Sequence, residues 1–292
     1  QQGGYHNLVL RTHEELDLTD QSAVRRFLRS ERPDYIFIAA AKVGGIQANN
    51  VYRAEFIYQN LAIEMNLIHG AYEAGIERLI FLGSSCIYPR DCPQPIREEY
   101  LLTGPLEATN EPYAIAKIAG IKLCESCNRQ YATRYLCAMP SNLFGPGDHY
   151  DLETAHVLPA LIRQVHEAKA NGAKSITVWG SGKPRREFML SDELADACVF
   201  MMEHNDALAA CNGYAPLYNV GCGEDFSIRE LAEITCEVLG YEGELVFDTS
   251  KPDGTPRKFL DVSKLAALGW RARIPLREGI ATAYRDFLAR AH

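Results

Sequence analysis

Tyr113 and Lys117 stand four residues apart in the run Tyr-Ala-Ile-Ala-Lys. On a helix that spacing puts both side chains on one face. A cation beside a phenol stabilises the phenolate. The expectation is therefore a tyrosine whose pKa is drawn toward neutrality and whose hydroxyl can exchange a proton with a carbonyl oxygen during hydride transfer. By itself the spacing suits a solvated helix face equally well, so its surroundings decide. Upstream, the apolar run Leu79-Ile-Phe-Leu82 leads into Gly83, Ser84 and Ser85. If the run is a parallel strand, these hydroxyls lie at its carboxyl end, where ligands of such sheets bind. Ser84 can then hydrogen-bond the same carbonyl that Tyr113 protonates.

Two more residues have the chemistry to move protons. Cys86 follows Ser84 by two positions. It reads either as a small buried hydrophobe or, if Lys117 lowers its pKa, as a thiolate base. His156 opens a helical stretch further along, and imidazole titrates near neutrality, so it is the natural proton partner across a cleft; the competing reading is a capping or solvated histidine. Cys124-Glu-Ser-Cys127 has the C-x-x-C form but no second pair at zinc spacing, and it lies inside a helical pattern.

The elements that must position these groups alternate. Leu8 to Leu10, Tyr35 to Ala39, Leu79 to Leu82 and Arg134 to Met139 read as buried strands; Asp20 to Arg29, Asn50 to Ala74 and Tyr113 to Tyr131 read as helices. This βαβα order predicts an α/β fold, a doubly wound parallel sheet of Rossmann type. Gln1 to Tyr5 reads as the tail of a first helix. The expectation is that the first βα unit, with its glycine-rich phosphate turn, is missing from this chain. After Pro146 the pattern changes to a smaller α+β lobe, with a helix near Ala155 to Ala170 and a strand at Ser175 to Trp179. Asp192 to Met202 and Leu217 to Val220 return to the sheet. Ile228 to Leu239, Glu244 to Phe247 and the C-terminal helices extend the lobe. The predicted division is 1–150 plus about 190–222 for the dinucleotide domain, and 151–189 plus about 223–292 for the substrate lobe.

Composition narrows the partners. The 292 residues carry a formal charge of -8 with no basic stripe, which argues against nucleic acid. No run of eighteen apolar residues or signal-like N-terminus is present, so no membrane association and a cytoplasmic location are expected. Nine dispersed cysteines fit reduced thiols. After the second predicted strand comes Leu10-Arg11-Thr12-His13, where a cation suits a 2'-phosphate, so NADP(H) is the expected cofactor with Arg11 as its contact. Asp17 and Leu18 are placed to border the adenine.

Longer blocks carry a resemblance. Ala39-Ala-Ala-Lys-Val-Gly-Gly-Ile46, Gly83-Ser-Ser-Cys-Ile-Tyr-Pro89, Glu111-Pro-Tyr-Ala-Ile-Ala-Lys117, Trp179-Gly-Ser-Gly-Lys-Pro-Arg-Arg-Glu-Phe188 and Lys251-Pro-Asp-Gly-Thr-Pro-Arg-Lys258 resemble the extended short-chain dehydrogenase/reductase family. The branch they resemble converts GDP-4-keto-6-deoxy-D-mannose to GDP-L-fucose with NADPH. The resemblance runs from about Leu8 to the C-terminal helix. It implies Ser84, Tyr113 and Lys117 as a reductase set, Cys86 and His156 as epimerase base and acid, and a homodimer. It also implies that the cofactor borders Leu82, Gly83, Ser84, Ser85, Pro140, Ser141, Asn142, Leu143 and His156, and that Gln164, Trp179, Arg186 and Asp253 contact the GDP-sugar. Departures from the family pattern fall at Gln164, where some relatives have a basic residue, at His13 and at Cys127. Two other readings share these features: another nucleotide-sugar epimerase or dehydratase of the same fold, and a non-catalytic GDP-sugar binding form.

Overall fold

Three of the four apolar runs become strands, and the central two are buried on both faces. In the computed structural model, which describes residues 4–152, 155–211, 216–251 and 253–290, the elements in chain order are α1 (Gln21–Glu31), β1 (Tyr35–Ile38), α2 (Ile46–Val51), α3 (Arg53–Glu73), β2 (Arg78–Leu82), α4 (Glu111–Tyr131), β3 (Arg134–Pro140), β4 (Asn142–Phe144), α5 (Val157–Ala170), β5 (Ser175–Trp179), β6 (Arg185–Arg186), β7 (Phe188–Leu190), α6 (Ser191–Glu203), α7 (Asn205–Cys211), β8 (Leu217–Val220), β9 (Phe226–Ser227), α8 (Ile228–Leu239), β10 (Glu244–Asp248), β11 (Arg257–Lys258), α9 (Ser263–Ala267) and α10 (Leu276–Arg290).

β1, β2, β3 and β8 form a parallel sheet in that order. Successive side chains of a strand point to opposite faces, and here both faces are covered. Leu79 and Phe81 pack with Val24, Leu28, Ile68 and Ile121 of the helices on one side. Ile80, Leu136 and Ala138 pack with Leu194, Ala197 and Met201 of α6 on the other. A third core joins α5, α8 and α10 to β5 and β7, and three small sheets, β10 with β5, β11-β6-β9 and β4 with β7, tie the second lobe to the chain that leaves β3. Leu260, Leu265 and Trp270, within the stretch assigned to the second lobe, pack in the cores of the sheet.

Three expectations are corrected. Leu8 to Leu10 is not a strand: it pairs with no strand among the described residues and its side chains are exposed, Leu10 by 76%. An apolar run needs a neighbour's N–H and C=O groups to become a strand, and the free edge of β1 does not engage it. Gly4 and Tyr5 are not helical, and Gln1 to Gly3, the rest of that expected helix tail, lie outside the described residues. The single helix read over Asn50 to Ala74 is two, α2 and α3, broken at Tyr52, whose backbone (φ -98°, ψ 39°) leaves the helical region. The short strands β4, β6, β7, β9 and β11 span two or three residues each, too few for a period of two to show.

The approach of α4 to β2 and α3 depends on Gly120. A Cβ there would lie 2.6 Å from the Phe81 ring and 2.9 Å from Glu64 Oε2, with no room for any of them to stay in place. Gly120→Ala is therefore expected to destabilise the protein by about 1–3 kcal/mol through overpacking, against the small gain from helix propensity. The readout is a lowered urea midpoint with an unchanged m value; an unaltered midpoint would mean that α4 can shift at little cost.

Candidate active site

The carboxyl end of β2 is built by a glycine. The Gly83 N–H donates to the Ala138 carbonyl at 3.0 Å, and a Cβ at Gly83 would lie 2.1 Å from the Met139 methyl carbon, so a side chain there would have to displace that of Met139. The chain then enters a 3₁₀ turn, Ser85–Ile87, capped by Ser84, whose Oγ accepts from the Cys86 N–H at 3.4 Å. Ser85, Cys86 and Ile87 are buried in that turn.

α4 brings the other half. Asn110 precedes it and Pro112 sits in its first turn, where a missing N–H costs nothing and φ is already helical. Tyr113 and Lys117 thus fall one turn apart. The Lys117 ammonium lies 5.8 Å from the Tyr113 ring centroid and 4.5 Å from that of Phe81. It donates to the Leu82 carbonyl at 3.0 Å and pairs with Glu64 Oε1 at 3.1 Å, both side chains being almost wholly buried. Phe56 meets the Tyr113 ring edge-on, with centroids 6.4 Å apart. The structure therefore gathers Leu82, Gly83, Ser84, Ser85, Cys86, Tyr113 and Lys117 about the junction of β2 and α4.

One electrostatic expectation is overturned, and one of the two readings of Cys86 is favoured over the other. Burial pushes the Tyr113 phenol above its ordinary range, and negative charge on Cys86 or Glu64 pushes it further, so the lowering expected from Lys117 does not prevail. The Cys86 thiol is likewise raised, again chiefly by burial. The largest opposing influence on Cys86 is the charge of Lys258, followed by the Ser84 hydrogen bond and only then by Lys117. Lys258, half-buried at the end of β11, is itself drawn down by burial and by the Arg186 charge, while Cys86 pulls it up. Sequence reasoning singled out neither Lys258 nor Glu64. Lys258 stood in a recognised block without a role. Glu64 carried a signal: with Phe56, Asn60 and Ile68 it forms an i, i+4 stripe that is buried throughout, a place where a carboxylate is unexpected.

The remaining predicted residues fall in three places. At the end of β3, the Ser141 N–H donates to the Val220 carbonyl at 3.0 Å, while its buried Oγ has no partner among the described residues. Asn142 Nδ2 donates to the Glu187 carbonyl at 2.8 Å and Leu143 pairs with Met189, so Pro140 to Leu143 is a rigid edge beside the β8 end. Away from this edge, Arg11 is held by Glu31 at 2.6 Å and lies over the Phe27 ring. Asp17 accepts from the Thr19 N–H and hydroxyl, which lowers its pKa, and the Leu18 carbonyl is anchored by Asn66. In the second lobe, Trp179 is 61% exposed beneath the Lys251 ammonium. Asp253 accepts from the Ser181 N–H and hydroxyl, which keeps its carboxyl below the usual range, and neighbouring Gly254 abuts Arg186. Gln164 is half-buried on α5. His156 is exposed at the start of α5, near enough to Asp148 to oppose the rise in that carboxyl's pKa, and it makes no hydrogen bond to Ser84, Cys86 or Tyr113 among the described residues. The described cysteines are free thiols, and no cluster of metal-ligand type occurs among the described residues.

A doubly wound parallel sheet with serine, tyrosine and lysine gathered at its carboxyl edge defines the extended short-chain dehydrogenase/reductase class. Within it, the chain belongs to the NAD dependent epimerase/dehydratase family, whose family model matches residues 2–221. It is 56% identical over 288 residues to the putative GDP-L-fucose synthase 2 of Arabidopsis thaliana, covering 99% of this chain and 86% of that one. To the GDP-L-fucose synthase of Escherichia coli K12 it is 54% identical over 290 residues, covering 99% and 90%. Among solved structures it is similar to a GDP-D-glycero-L-gluco-heptose synthase from Campylobacter jejuni, determined in the presence of NADPH, at 37% identity and a TM-score of 0.91, covering 98% of this chain and 92% of that one.

If Lys258 is the cation that most favours a Cys86 thiolate, Lys258→Met should raise the Cys86 pKa. Alkylation at Cys86, followed by mass spectrometry of its peptide, is expected to slow several-fold at neutral pH while converging with the unsubstituted protein in strong alkali. Equal rates at every pH would remove Lys258 from that role.

Proposed function

We propose that this protein converts GDP-4-keto-6-deoxy-D-mannose to GDP-L-fucose, epimerising C3 and C5 and then reducing the C4 ketone with NADPH. The observation that carries the reading is the convergence of Ser84, Cys86, Tyr113 and Lys117 at the carboxyl end of β2, in a chain more than half identical to proteins named for that product.

The residues present fit the nicotinamide end of the cofactor. The buried Ser141 hydroxyl has no partner among the described residues just beyond β3, and the Lys117 ammonium donates to the Leu82 carbonyl at the end of β2, so donors stand at both strand ends. When bound, NADPH supplies the hydride for C4. Lys117 would hold the nicotinamide ribose, and Leu82, Gly83, Ser84, Ser85, Pro140, Ser141, Asn142, Leu143 and His156 would border the cofactor, with Arg11, Asp17 and Leu18 toward its adenosine end.

The chemistry follows from the ketone. A C4 carbonyl acidifies the hydrogens on C3 and C5, so a base on one ring face and an acid on the other can invert both centres through enolates. Cys86 takes the role of base, with Lys258 offsetting part of the cost of its buried thiolate, and His156 that of acid, arriving from the α5 side when the sugar is seated. Ser84 and Tyr113 hydrogen-bond the C4 oxygen as it gains charge, an electrostatic contribution that is large in a site kept from water. In reduction Tyr113 gives its proton to that oxygen. Burial, which raises its pKa, keeps the phenol protonated at neutral pH, and the strongly basic C4 alkoxide is the group able to take that proton. Arg186 offers a fork for the diphosphate and Trp179 a flat ring for packing, with Gln164 and Asp253 completing the sugar-nucleotide side.

The same reading makes the protein a homodimer that pairs through α3 and α4, on which Tyr58, Met65 and Ile115 are exposed, and places it in the cytoplasm. Among the described residues no helix is long and apolar enough to cross a membrane.

Cys86→Ser is expected to abolish deuterium wash-in at C3 and C5 while leaving direct C4 reduction of the unepimerised ketone measurable by product NMR. Tyr113→Phe is expected to slow C4 reduction by about a hundredfold or more. Loss of both reactions in equal measure in Cys86→Ser would contradict this division of labour.

A further inference from the structure

Arg185 and Arg186 of β6 stand opposite Arg257 and Lys258 of β11, as register partners in a parallel pair two residues long. Neighbours along a strand point to opposite faces, so the four cations sort into two cross-strand couples. Like charges placed opposite each other repel unless a counter-charge joins them. On one face Asp225 joins them, meeting Arg257 at 2.6 Å and Arg185 at 3.3 Å. On the other face Arg186 and Lys258, both half-buried, form no ion pair among the described residues. Arg186 donates to the Arg185 carbonyl at 2.8 Å. Glu107, whose charge reaches Lys258, pairs with Arg90 at 3.6 Å. This second couple has to be held together from elsewhere.

Glu187 is the residue after Arg186, and its side chain is fully buried. Its Oε1 accepts from the Gly223 N–H at 2.8 Å, and its Oε2 from the N–H of Leu260, just past Lys258, at 3.2 Å. Gly221 leaves the space, since a Cβ there would lie 2.2 Å from Oε1. Ile96 takes the Phe259 carbonyl at 2.7 Å and the Asp261 N–H at 2.8 Å, which leaves the Leu260 N–H between them to the carboxylate. A buried carboxylate is costly unless its charge is answered. Here backbone N–H groups and the Cys222 thiol answer it, and no cation does among the described residues. The backbone carbonyl of the same residue faces the other lobe, accepting from the Asn142 N–H at 3.2 Å and from Asn142 Nδ2 at 2.8 Å.

We propose that Glu187 is a positioning residue with two separable halves: its side chain holds Arg186 and Lys258 together on the sugar-nucleotide side, and its backbone carbonyl sets the cofactor edge at Asn142. The inference rests on the reading above, in which Arg186 meets the diphosphate and Lys258 favours the Cys86 thiolate. Glu187 touches neither substrate nor cofactor and acts through those two cations. Replacing its carboxyl by an amide keeps the shape but turns one acceptor into a donor, which then faces an N–H. Whichever N–H it meets, the link between the end of β8 and β11 is broken, while the carbonyl that serves Asn142 is retained.

The test compares the unsubstituted protein with Glu187→Gln, Lys258→Met and the double variant. Alkylation at Cys86, read by mass spectrometry of its peptide, should slow about threefold or more at neutral pH in Glu187→Gln and converge with the unsubstituted protein in strong alkali. The double variant should alkylate at the rate of Lys258→Met, because a residue that acts through Lys258 adds nothing once that ammonium is gone. By calorimetry, the affinity of Glu187→Gln for GDP should fall about fivefold or more, and that for NADPH should stay within about twofold. Should this variant fail to fold, Glu187→Asp, which keeps the charge but withdraws it by one methylene, is expected to show the same pattern at smaller amplitude. The proposal is overturned if alkylation is unchanged, if the two substitutions slow it multiplicatively, or if GDP and NADPH affinities fall together, as a merely structural role predicts. An unsubstituted protein that does not bind GDP overturns the sugar-nucleotide reading itself, and this inference with it.

Discussion

A lysine ammonium cannot be buried alone. Removing such an ion from water costs several kcal/mol even after the protein relaxes, and Lys117 is 2% exposed. Three elements meet at its head because of this: α4 carries it, β2 presents the Leu82 carbonyl, and α3 presents the Glu64 carboxylate. Leu82 is the last residue of β2, so satisfying the ammonium also fixes where the strand ends and where the Ser84 turn begins. Gly120, on the same helix, clears the space that lets the carboxylate and the Phe81 ring come within reach. The site and the packing of the sheet's helices are therefore one construction, and a change in either would be felt in the other.

The parallel sheet supplies the rest of the geometry. Because every central strand runs the same way, the ends of β2, β3 and β8 lie side by side, and the loops that leave them share one edge. The Gly83 contact with Ala138, the Ser141 contact with Val220 and the Asn142 contacts with Glu187 stitch those loops together. Glu187 continues the stitching: fully buried, it accepts from the Gly223 N–H at 2.8 Å and the Leu260 N–H at 3.2 Å, and so ties β8 and β11 to the same edge. Through this carboxylate the residues of the second lobe that carry Arg186 and Lys258 are held against the end of the sheet.

Burial works against both acid groups of the site and is answered differently for each. A high pKa keeps Tyr113 protonated until a strong base, the C4 alkoxide, forms beside it. For Cys86 the same burial would be adverse, and the answer is Lys258, brought in from a strand more than a hundred and fifty residues away in the chain. Cations thus offset part of the burial of the thiol, Lys258 ahead of Lys117, while the phenol is left raised, so one pocket holds a base and an acid together.

The sequence by itself determined the alternation of strands and helices, the strand-end serines, the Tyr113–Lys117 spacing and the blocks that mark the family, because each is a local pattern with a fixed period or order. β5, β8 and α8 follow their predicted bounds for the same reason. Leu8 to Leu10 failed as a strand because a strand is defined by its neighbour and not by its own composition. The electrostatics were equally out of reach. That Glu64 would share Lys117, that Lys258 would act on Cys86 more strongly than Lys117, and that burial would raise both the thiol and the phenol are set by which distant side chains end up in contact and how much water is left between them. Those are properties of the packed chain, and only the tertiary structure decided them.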